Sequence, residues 1–408
     1  MTKTMDDLDI GGRRVLLRLD LNVPLNDGRV ADDARIRASL PTLTKLLARD
    51  AKVVVCAHLG RPGGQPDPRY SLAPVAARLS VLLGCPVVLA ATTIGPSAEA
   101  AVAAPPPGSV VMLENLRFNA GETSKNDAER GRFAGELATL ADLYVGDGFG
   151  AVRRRHASVY DVPLRLPHAA GYLIQAEVAA LSRLTKAVRR PYVVVLGGAK
   201  VADKIGAVGG LITLADRIII GGAMAFPFLA AQGHKLGTSP LDPAHVDIAS
   251  GYLDQATRAG VPILLPSDLV VAAERACHAE REVVDVTAVP PDCMALDIGP
   301  HSARSFAADL ATARTVFWNG PMGVFELAPY SAGTRAVVRG LTASDAFTVV
   351  SGGDTAAALH ALGVAESAFG YVSAGGGASL DFVEGRPLPG LTALEAPNSP
   401  RNRDEGSG

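Results

Sequence analysis

Two stretches decide the fold: Val-Val-Val-Leu-Gly-Gly-Ala-Lys at 193–200 and Ile-Ile-Ile-Gly-Gly-Ala at 218–223. Each begins with a short run of aliphatic residues and ends in glycine, and enough chain for a helix lies between them. Continuous apolar runs of this length are typical of strands buried on both faces of a parallel sheet. Glycine at a strand end lets the backbone come close to a ligand, and open α/β sheets bind ligands at that edge.

The same pattern recurs along the chain. Further apolar runs predict strands at Val15–Leu19, Val53–Cys56, Val110–Leu113, Thr315–Trp318 and Phe347–Val350. The segments between them suit helices, for example Asp32–Leu47 and Ala73–Leu83. Strands that alternate with helices predict an α/β fold of the doubly wound type.

Length and composition limit the function classes. A chain of 408 residues suggests two or three domains. With 39 basic and 41 acidic residues the net charge is -2, which disfavours a nucleic-acid binder. The four cysteines (Cys56, Cys85, Cys277, Cys293) form no metal-binding pattern and no disulfide framework. We find no signal peptide at the N-terminus and no apolar run long enough for a membrane span, and we expect a cytoplasmic protein.

The two halves of the chain differ in their polar residues. Arginine and histidine cluster before His168, whereas glycine clusters follow Tyr192. This asymmetry predicts two domains with different ligands. The boundary is expected between Tyr172 and Arg190, in a stretch that reads as a helix ending in Arg-Arg-Pro.

The first half carries polar and cationic residues directly after its predicted strands. Cations that converge on one sheet edge repel one another unless an anion lies among them, and the arginine fork suits phosphate or carboxylate. A basic loop at Arg153–Arg155 that touches nucleic acid is an alternative, but it leaves the separate cations unexplained. Asp20 and Asn22 could equally be capping groups. The candidates for an anionic substrate are Asp20, Asn22, Arg35, His58, Arg61, Arg117 and Arg154.

The second half carries two lysines after its first glycine pair. Lys200 and Lys204 share one helix face near its positive end, an arrangement that polyphosphate would stabilise, although chance surface lysines are an alternative. Gly222 follows the next strand and suits a flat base or ribose. The chain contains neither a G-x-G-x-x-G fingerprint nor a G-x-x-x-x-G-K-[ST] loop.

Two later strand ends add polar groups. Glu326 closes the run Trp318–Glu326 and could accept ribose hydroxyls, although a buried structural loop is the alternative. Gly353, Asp354 and Thr355 open a helix whose amides could hold phosphates, and Asp354 offers a hard oxygen for Mg²⁺. A plain helix cap is the alternative there.

Taken together, these motifs closely resemble the phosphoglycerate kinase family, from about Leu8 to Leu394. The most specific motifs are RLDLNVP (18–24), HLGRP (58–62), LENLRF (113–118), GGAKVADKI (197–205), WNGPMGVFE (318–326) and GGGASLDFVEG (375–385). Several long motifs in the family's order are a specific signal, whereas one alone would not be.

The resemblance implies two Rossmann-like domains, each a parallel sheet flanked by helices, with a cleft between them. The implied boundaries are a triose-binding domain at 1–172, an interdomain helix at 173–190 and a nucleotide-binding domain at 191–380. A segment at 381–395 would return to the first domain, and 396–408 would be a disordered tail. The resemblance also implies a monomer.

The resemblance also assigns residues. The seven candidates of the first half match the family's triose site for 3-phosphoglycerate or 1,3-bisphosphoglycerate. Catalysis is expected from Arg35, Lys200, Lys204 and Gly376. ATP or ADP is expected at Gly198, Ala199, Lys200, Lys204, Gly222, Asn319, Pro321, Val324, Glu326, Gly353, Asp354 and Thr355, with Asp354 on Mg²⁺.

The expected chemistry needs no general base, because the attacking carboxylate is already ionised at neutral pH. Arg35 and Lys200 would stabilise the transferring phosphoryl group, and closure of the two domains would exclude water. The alternatives are a specialised paralogue for a related carboxylate or phosphonate, and a non-catalytic binding protein on the same fold. A nicotinamide oxidoreductase has no fingerprint to support it.

Several positions depart from the family pattern, and their effect on substrate or nucleotide preference is left open. They are Asn119, Arg153, Ala223, Pro227, Ser351 and Ala374. Arg153 keeps the positive charge of a usual histidine. Ala223 adds a methyl group where the nucleotide base is expected, and Pro227 is tolerable only near a helix start.

Overall fold

The computed structural model describes residues 3–397, which form two compact units. Among the described residues, unit 1 comprises 3–178 and 387–397, and unit 2 comprises Ala179–Arg386. Each unit has its own sheet and its own apolar core.

Unit 1 is built on a six-stranded parallel sheet in the order β5-β6-β4-β1-β7-β8, with β2 and β3 forming a separate hairpin. The strands are β1 (Arg14–Leu19), β2 (Leu25–Asn26), β3 (Arg29–Val30), β4 (Lys52–Cys56), β5 (Val87–Leu89), β6 (Val110–Met112), β7 (Leu143–Asp147) and β8 (His168–Ala170). The register places Arg18 opposite Cys56 on one side and Gly146 on the other. The segments that follow β1, β4 and β7 therefore emerge at one edge of the sheet.

Helices flank this sheet. They are α1 (Ala34–Leu47), α2 (Ala73–Leu83), α3 (Pro96–Ala103), α4 (Ala120–Thr123), α5 (Asp127–Thr139) and α6 (Tyr172–Ser182). Helix α1 buries Ile36, Leu43 and Leu46, which recur at helical spacing and join the core of unit 1. Its first turn carries Arg35 to the same edge as the loop after β1.

Unit 2 repeats the design with a parallel sheet in the order β11-β10-β9-β15-β16-β17. The strands of this unit are β9 (Tyr192–Leu196), β10 (Arg217–Ile220), β11 (Ile263–Leu264), β12 (Asp268–Ala272), β13 (Arg281–Asp285), β14 (Met294–Ile298), β15 (Thr315–Asn319), β16 (Phe347–Ser351) and β17 (Tyr371–Ser373). Strands β9 and β15 are buried along their whole length, as their apolar runs predict.

The helices of unit 2 lie between these strands in the chain. They are α7 (Val201–Lys204), α8 (Val208–Ile212), α9 (Phe226–Ala231), α10 (Pro243–Ala259), α11 (Pro300–Ala311), α12 (Ala332–Thr342), α13 (Gly353–Ala361) and α14 (Gly377–Val383). Pro227 lies in the first turn of α9, where a missing backbone N–H costs no helical hydrogen bond. This departure is therefore compatible with an unbroken helix.

A small antiparallel sheet, in the order β13-β12-β14, was not predicted from the sequence. Strand β13 alternates exposed and buried positions only weakly, since Val284 is its buried residue. A short polar strand of this kind has no distinctive periodicity, and its pairing depends on neighbours that the local sequence does not reveal.

The predicted α/β class and the predicted strands and helices are confirmed, but three boundaries differ. The helix predicted for 173–190 ends at Ser182, because the chain then makes tighter turns such as Arg183 N–H to Ala180 C=O (3.2 Å) and Thr185 N–H to Ser182 C=O (3.3 Å). The division between the units falls inside this helix, after Val178. Unit 2 therefore begins earlier than the predicted residue 191.

The segment that returns to unit 1 begins at Pro387 and not at residue 381. Residues 377–386 stay in unit 2, where Arg386 donates to the Gly206 carbonyl (3.2 Å). The returning helix is α15 (Pro389–Glu395), and Gly390 N–H donates to the Val152 carbonyl (2.9 Å).

The predicted disordered tail, 396–408, lies outside the described residues from 398 onward. Ala396 is described, and its carbonyl lies 3.2 Å from Nε2 of His168. Within the described part of the chain, none of the helices is both long and apolar enough to cross a membrane.

Candidate active site

Unit 1 gathers its cations at the edge where β1, β4, β6 and β7 end. Arg18 is the last residue but one of β1, and His58 follows β4. Arg117 lies in a short helical turn after β6, and His156 follows β7. These four strands are neighbours in the sheet, so that residues distant in sequence form one cluster. We call this cluster the anion site.

The carboxylate of Asp20 orients Arg35 in the anion site. Arg35 donates from Nη1 to Oδ1 of Asp20 at 2.9 Å, and Asp20 is largely buried. Asn22 accepts a hydrogen bond from Gly60 N–H at its Oδ1 (2.9 Å), which ties the loop after β1 to the loop after β4. Both residues therefore support the site, in addition to any contact that they make with a ligand.

Arg117 is held with one nitrogen unsatisfied. Its Nη1 donates to the Gly60 carbonyl (2.7 Å), and its Nε is buried without a hydrogen-bond partner in the described chain. Burial, followed by the charge of Arg18 and opposed by that of Glu122, lowers the pKa of Arg117 to about 10. A buried donor without a partner costs free energy, and an anionic ligand that accepts from it would recover that cost.

The two histidines of the anion site are neutral at physiological pH. Burial, followed by the charges of Arg18 and Arg117, lowers the pKa of His58 well below its usual value. Burial, followed by Arg117 and Arg18, lowers the pKa of His156 to about 3. Each imidazole can therefore donate a hydrogen bond to an anion without adding a positive charge.

Arg61 and Arg154 lie on exposed loops and act on the anion site by their charge, since both contribute to the lowered pKa of Arg117. Arg153 is exposed as well, and the Arg155 guanidinium lies 4.4 Å from the ring centre of Tyr160. The three consecutive arginines therefore differ in their surroundings, because Arg155 packs against Tyr160 of its own segment.

Sequence reasoning assigned no role to two buried residues of the anion site. Arg18 is 1% exposed, and its Nη2 lies 3.2 Å from Nδ1 of His58 and 3.9 Å from Oε1 of Glu122. Glu122 is completely buried, and burial raises its pKa against the lowering effects of Arg18 and Ser158. Arg18 is the first residue of the RLDLNVP motif, so its role could have been predicted from the sequence. Glu122 lies in no such motif and resembles any acidic residue on an exposed helix face.

Unit 2 builds its site from backbone. Gly198 N–H donates to the Pro321 carbonyl (2.7 Å), and Gly222 N–H donates to the Met322 carbonyl (3.0 Å). Gly320 has a φ of +106°, and a Cβ there would lie 2.1 Å from the Gly197 carbonyl oxygen. The turns after β9, β10 and β15 thus interlock at distances that only glycine allows at this position.

A cavity of about 190 Å³ lies beside these turns. Predicted residues that line it are Gly198, Ala199, Gly222, Pro321, Val324, Glu326 and Asp354. The departure Ala223 also lines it, as do Phe226, Leu269 and Met294, which sequence reasoning missed because apolar lining residues resemble any core residue. An apolar slot with polar groups at its rim is the usual form of a site for a flat organic ligand.

Polar groups at the rim of this cavity are already paired. Glu326 lies 3.7 Å from Arg275 with both side chains exposed, and Lys200 Nζ lies 2.9 Å from Oδ2 of Asp354. Such exposed pairs are weak, so a charged ligand can exchange them at small cost. Arg275 is a further residue that the sequence did not single out.

Lys204 lies deeper than Lys200 and faces the glycine turns. Its Nζ donates to the Gly197 carbonyl (2.8 Å) and lies 3.5 Å from the Asn319 carbonyl. Burial lowers the pKa of Lys204 to about 8, opposed by Asp354 and assisted by Lys200. The predicted pair of lysines is therefore brought together, but in two different environments.

Thr355 and Asn319 hold the turns in place. Thr355 is buried, accepts from Gly320 N–H (2.8 Å) and donates to the Ser351 carbonyl (2.8 Å), which uses its single proton. Asn319 is buried, and its carbonyl accepts from Gly197 N–H (2.9 Å). Both predicted ligands thus have supporting roles in the structure.

The amide-bearing glycines lie at helix starts. Gly353 is the first residue of α13, and Gly376 precedes α14 with a φ of +53°. Asp354 lies in the first turn of α13 and is half exposed. The described residues contain no group of three histidine, cysteine or acidic side chains that could hold a metal ion. A single carboxylate fits Mg²⁺ that is carried mainly by nucleotide phosphates.

Comparison with known proteins identifies the family of this chain. The phosphoglycerate kinase family model matches residues 5–386. The chain belongs to the phosphoglycerate kinase family. It is 55% identical over 401 residues to the phosphoglycerate kinase of Streptomyces avermitilis, covering 96% of this chain and 100% of that protein. It is also 55% identical to that of Kineococcus radiotolerans, over 96% of this chain and 100% of the relative.

Solved phosphoglycerate kinase structures share the fold. The structure from Coxiella burnetii has a TM-score of 0.82 at 36% identity and covers 97% of this chain and 99% of that chain. The structure from Pyrococcus horikoshii has a TM-score of 0.83 at 31% identity, with 96% and 98% covered. The predicted family, fold class and phosphotransferase function are thereby confirmed.

Proposed function

We propose that this chain carries out the phosphoglycerate kinase reaction with 3-phosphoglycerate in the anion site of unit 1 and ATP or ADP in the cavity of unit 2. The observation that carries the proposal is the buried, unpartnered Nε of Arg117 within a cluster of cations and neutral histidines. An anionic ligand would accept from this nitrogen and offset the remaining positive charge, and 3-phosphoglycerate offers a carboxylate and a phosphate.

Some residues of the anion site would contact the substrate, and others would hold those residues in place. Arg35, His58, Arg61, Arg117 and Arg154 would contact the phosphate or carboxylate oxygens of the substrate. Asp20 would orient Arg35, with which it is paired at 2.9 Å. Asn22 would hold the Gly60 loop and accept from a substrate hydroxyl.

In unit 2 the nucleotide base would occupy the apolar cavity, with Ala223 in contact with it, and Glu326 would accept from the ribose after leaving Arg275. Lys204 and the backbone amides of Gly353 and Gly376 would bind phosphates. Gly198 would line the nucleotide cavity, since its N–H already donates to the Pro321 carbonyl. Lys200 would leave Asp354 to bind the transferring phosphoryl group, since their ion pair is half exposed.

The reaction balances without a base. A carboxylate oxygen of 3-phosphoglycerate forms a bond to the γ-phosphorus, the bond from that phosphorus to the oxygen of ADP breaks, and no proton moves. Arg35 and Lys200 would stabilise the charge on the phosphoryl group in transit. A transition-state cation of this kind is worth about 3 kcal/mol, or about a hundredfold in rate.

Mg²⁺ bound with the nucleotide would neutralise phosphate charge, and Asp354 is the residue of this chain that would hold it. Closure of the two units around both ligands, a monomeric state and a cytoplasmic location stay predictions.

The test is a coupled assay. Protein, Mg²⁺, ATP and 3-phosphoglycerate should yield 1,3-bisphosphoglycerate, which glyceraldehyde-3-phosphate dehydrogenase converts with oxidation of NADH. If the protein is folded and binds ATP but the coupled assay shows no oxidation of NADH, a specialised paralogue with another carboxylate substrate is favoured. The assay would then be repeated with other small carboxylates. Binding of both ligands without any turnover would favour the non-catalytic alternative.

A further inference from the structure

A buried carboxylate lies beneath the anion site, and both of its oxygens are held by one serine. Ser158 donates from its backbone N–H to Oε2 of Glu122 at 3.0 Å and from its hydroxyl to Oε1 at 2.7 Å. Glu122 has no exposed surface, so it does not contact substrate directly. Any influence that it has on the reaction must pass through its neighbours.

The serine hydroxyl links Glu122 to an arginine. Arg18 donates from Nε to Ser158 Oγ at 2.8 Å, and because a guanidinium only donates, the single hydroxyl proton is left for Glu122. A second hydrogen bond, from Tyr144 Oη to the Ser158 carbonyl (2.8 Å), fixes the segment that carries the serine. The direction of each bond in this chain is therefore determined.

The arginine in turn determines the tautomer of His58. Nη1 of Arg18 donates to the Leu19 carbonyl, and Nη2 lies 3.2 Å from Nδ1 of His58. Since the guanidinium has no acceptor, Nδ1 must accept, and the proton of the neutral ring lies on Nε2. The imidazole is then a hydrogen-bond donor through Nε2 alone.

The charge of Glu122 keeps Arg18 in this position. Arg18 is 1% exposed, and within the described chain Glu122 is the carboxylate that lies within 4 Å of it. Arg35 and Arg117 act against Glu122 in this balance, because their positive charges, like that of Arg18, lower the pKa of His58. Without Glu122, Arg18 would be a buried cation among cations, which is strongly unfavourable.

We propose that Glu122 is a positioning residue of the anion site: through Ser158 and Arg18 it holds His58 as the Nε2–H tautomer, a neutral donor to an oxygen of the anionic substrate. The inference rests on the proposed function for the identity of that substrate. The tautomer itself is a property of the protein alone and can be measured without turnover.

The experiment begins with the wild-type protein labelled with ¹⁵N-histidine, studied by long-range ¹H–¹⁵N NMR at neutral pH, with His58 assigned by comparison with His58→Gln. We expect an unprotonated Nδ1 and a protonated Nε2. A protonated Nδ1 would overturn the proposal, and it would do so whether or not the protein turns over 3-phosphoglycerate.

The second step is Glu122→Gln, which keeps the shape but removes the charge and places an NH₂ group against one of the two Ser158 donors, the backbone N–H or the hydroxyl. We expect the KM for 3-phosphoglycerate to rise about tenfold with kcat within about twofold of the wild type, and His58 to populate both tautomers. If the NMR signals of His58 and the KM are both unchanged, Glu122 does not position this histidine.

The matched control is Asp161→Asn. Asp161 accepts from the buried Arg130 (2.6 Å) and lies in the same helical turn as Ser158, so its loss also breaks a buried pair in unit 1. It should leave the tautomer and the KM unchanged; an equal effect would mean that general loosening, not positioning, raises the KM. If Glu122→Gln fails to fold, Ser158→Ala removes the linking hydroxyl and should raise the KM in the same direction.

Discussion

The anion site of unit 1 and the glycine-built site of unit 2, which we propose bind the two substrates, are built in opposite ways. Unit 1 uses side chains: Arg18 and His58 are buried against each other, Arg117 is partly buried, and Glu122 balances the charge of Arg18. Unit 2 uses backbone, together with an exposed cation, Lys200, that pairs with Asp354.

Under the proposed function, this difference follows from the shape and charge of each ligand. A small anion with charge at both ends is recognised by several fixed donors, and fixed donors have to be desolvated and supported by a second layer of residues. A flat base with a flexible polyphosphate needs an apolar slot and close amides, which glycine supplies because it has no Cβ. The pKa values of His58 and His156 in the anion site are accordingly lowered, and the site of unit 2 contains Gly198, Gly222 and Gly320 at positive φ.

The largest expected effect separates transition-state binding from ground-state binding. Lys200→Ala should lower kcat by about a hundred- to a thousandfold while the KM for ATP changes far less, because Lys200 is exposed, pairs with Asp354 in the free protein and is proposed to bind the phosphoryl group in transit. Steady-state kinetics with both substrates test this. Equal effects on kcat and on nucleotide affinity would mean that Lys200 binds only the ground-state phosphate.

Gly320→Ala should distort the interlocked glycine turns that form the site of unit 2. The new Cβ would lie 2.1 Å from the Gly197 oxygen at a φ of +106°, and we expect a cost of about 2–3 kcal/mol, with nucleotide affinity reduced by about thirty- to a hundredfold. Calorimetry should show unchanged binding of 3-phosphoglycerate. Gly251→Ala in α10 is the control, because a Cβ there meets nothing within 4 Å and should not alter binding.

Arg117→Lys tests whether the anion site of unit 1 depends on the geometry of its side chains or on their charge alone. The change keeps a positive charge but removes the fork and the buried Nε, so we expect the KM for 3-phosphoglycerate to rise about tenfold while nucleotide affinity is unchanged. An unaltered KM would show that charge alone, without geometry, binds the substrate in this site.

The smallest effect is a pH dependence confined to unit 2. Lys204 has a pKa lowered to about 8 by burial, so it is charged below that pH and loses its charge as the pH rises. We expect kcat/KM for ATP to fall to about half at a pH near 8 and to decline further above it, whereas kcat/KM for 3-phosphoglycerate falls less. Lys204→Arg should move this decline to higher pH; a profile identical to that of the wild type would exclude Lys204 as the group that titrates.

Much of the fold and part of the site could be predicted from the sequence. The strands 193–196 and 218–220 lie within β9 and β10, because aliphatic runs that end in glycine have few other stable arrangements. The antiparallel sheet β13-β12-β14 could not be predicted, since β13 is short and mostly exposed. Glu122 and Arg275 were missed because a charged residue on a helix or loop usually faces water.

The sequence by itself determined the parallel α/β architecture, the family and the residue types of both sites, because strand periodicity and long motifs are local features of the chain. Only the tertiary structure decided which charges meet: that Asp354 pairs with Lys200, that Thr355 supports a turn, and that Glu122 lies beneath Arg18. The physical reason is that burial and distance set the strength of an electrostatic interaction, and both arise only when segments far apart in the chain are packed together.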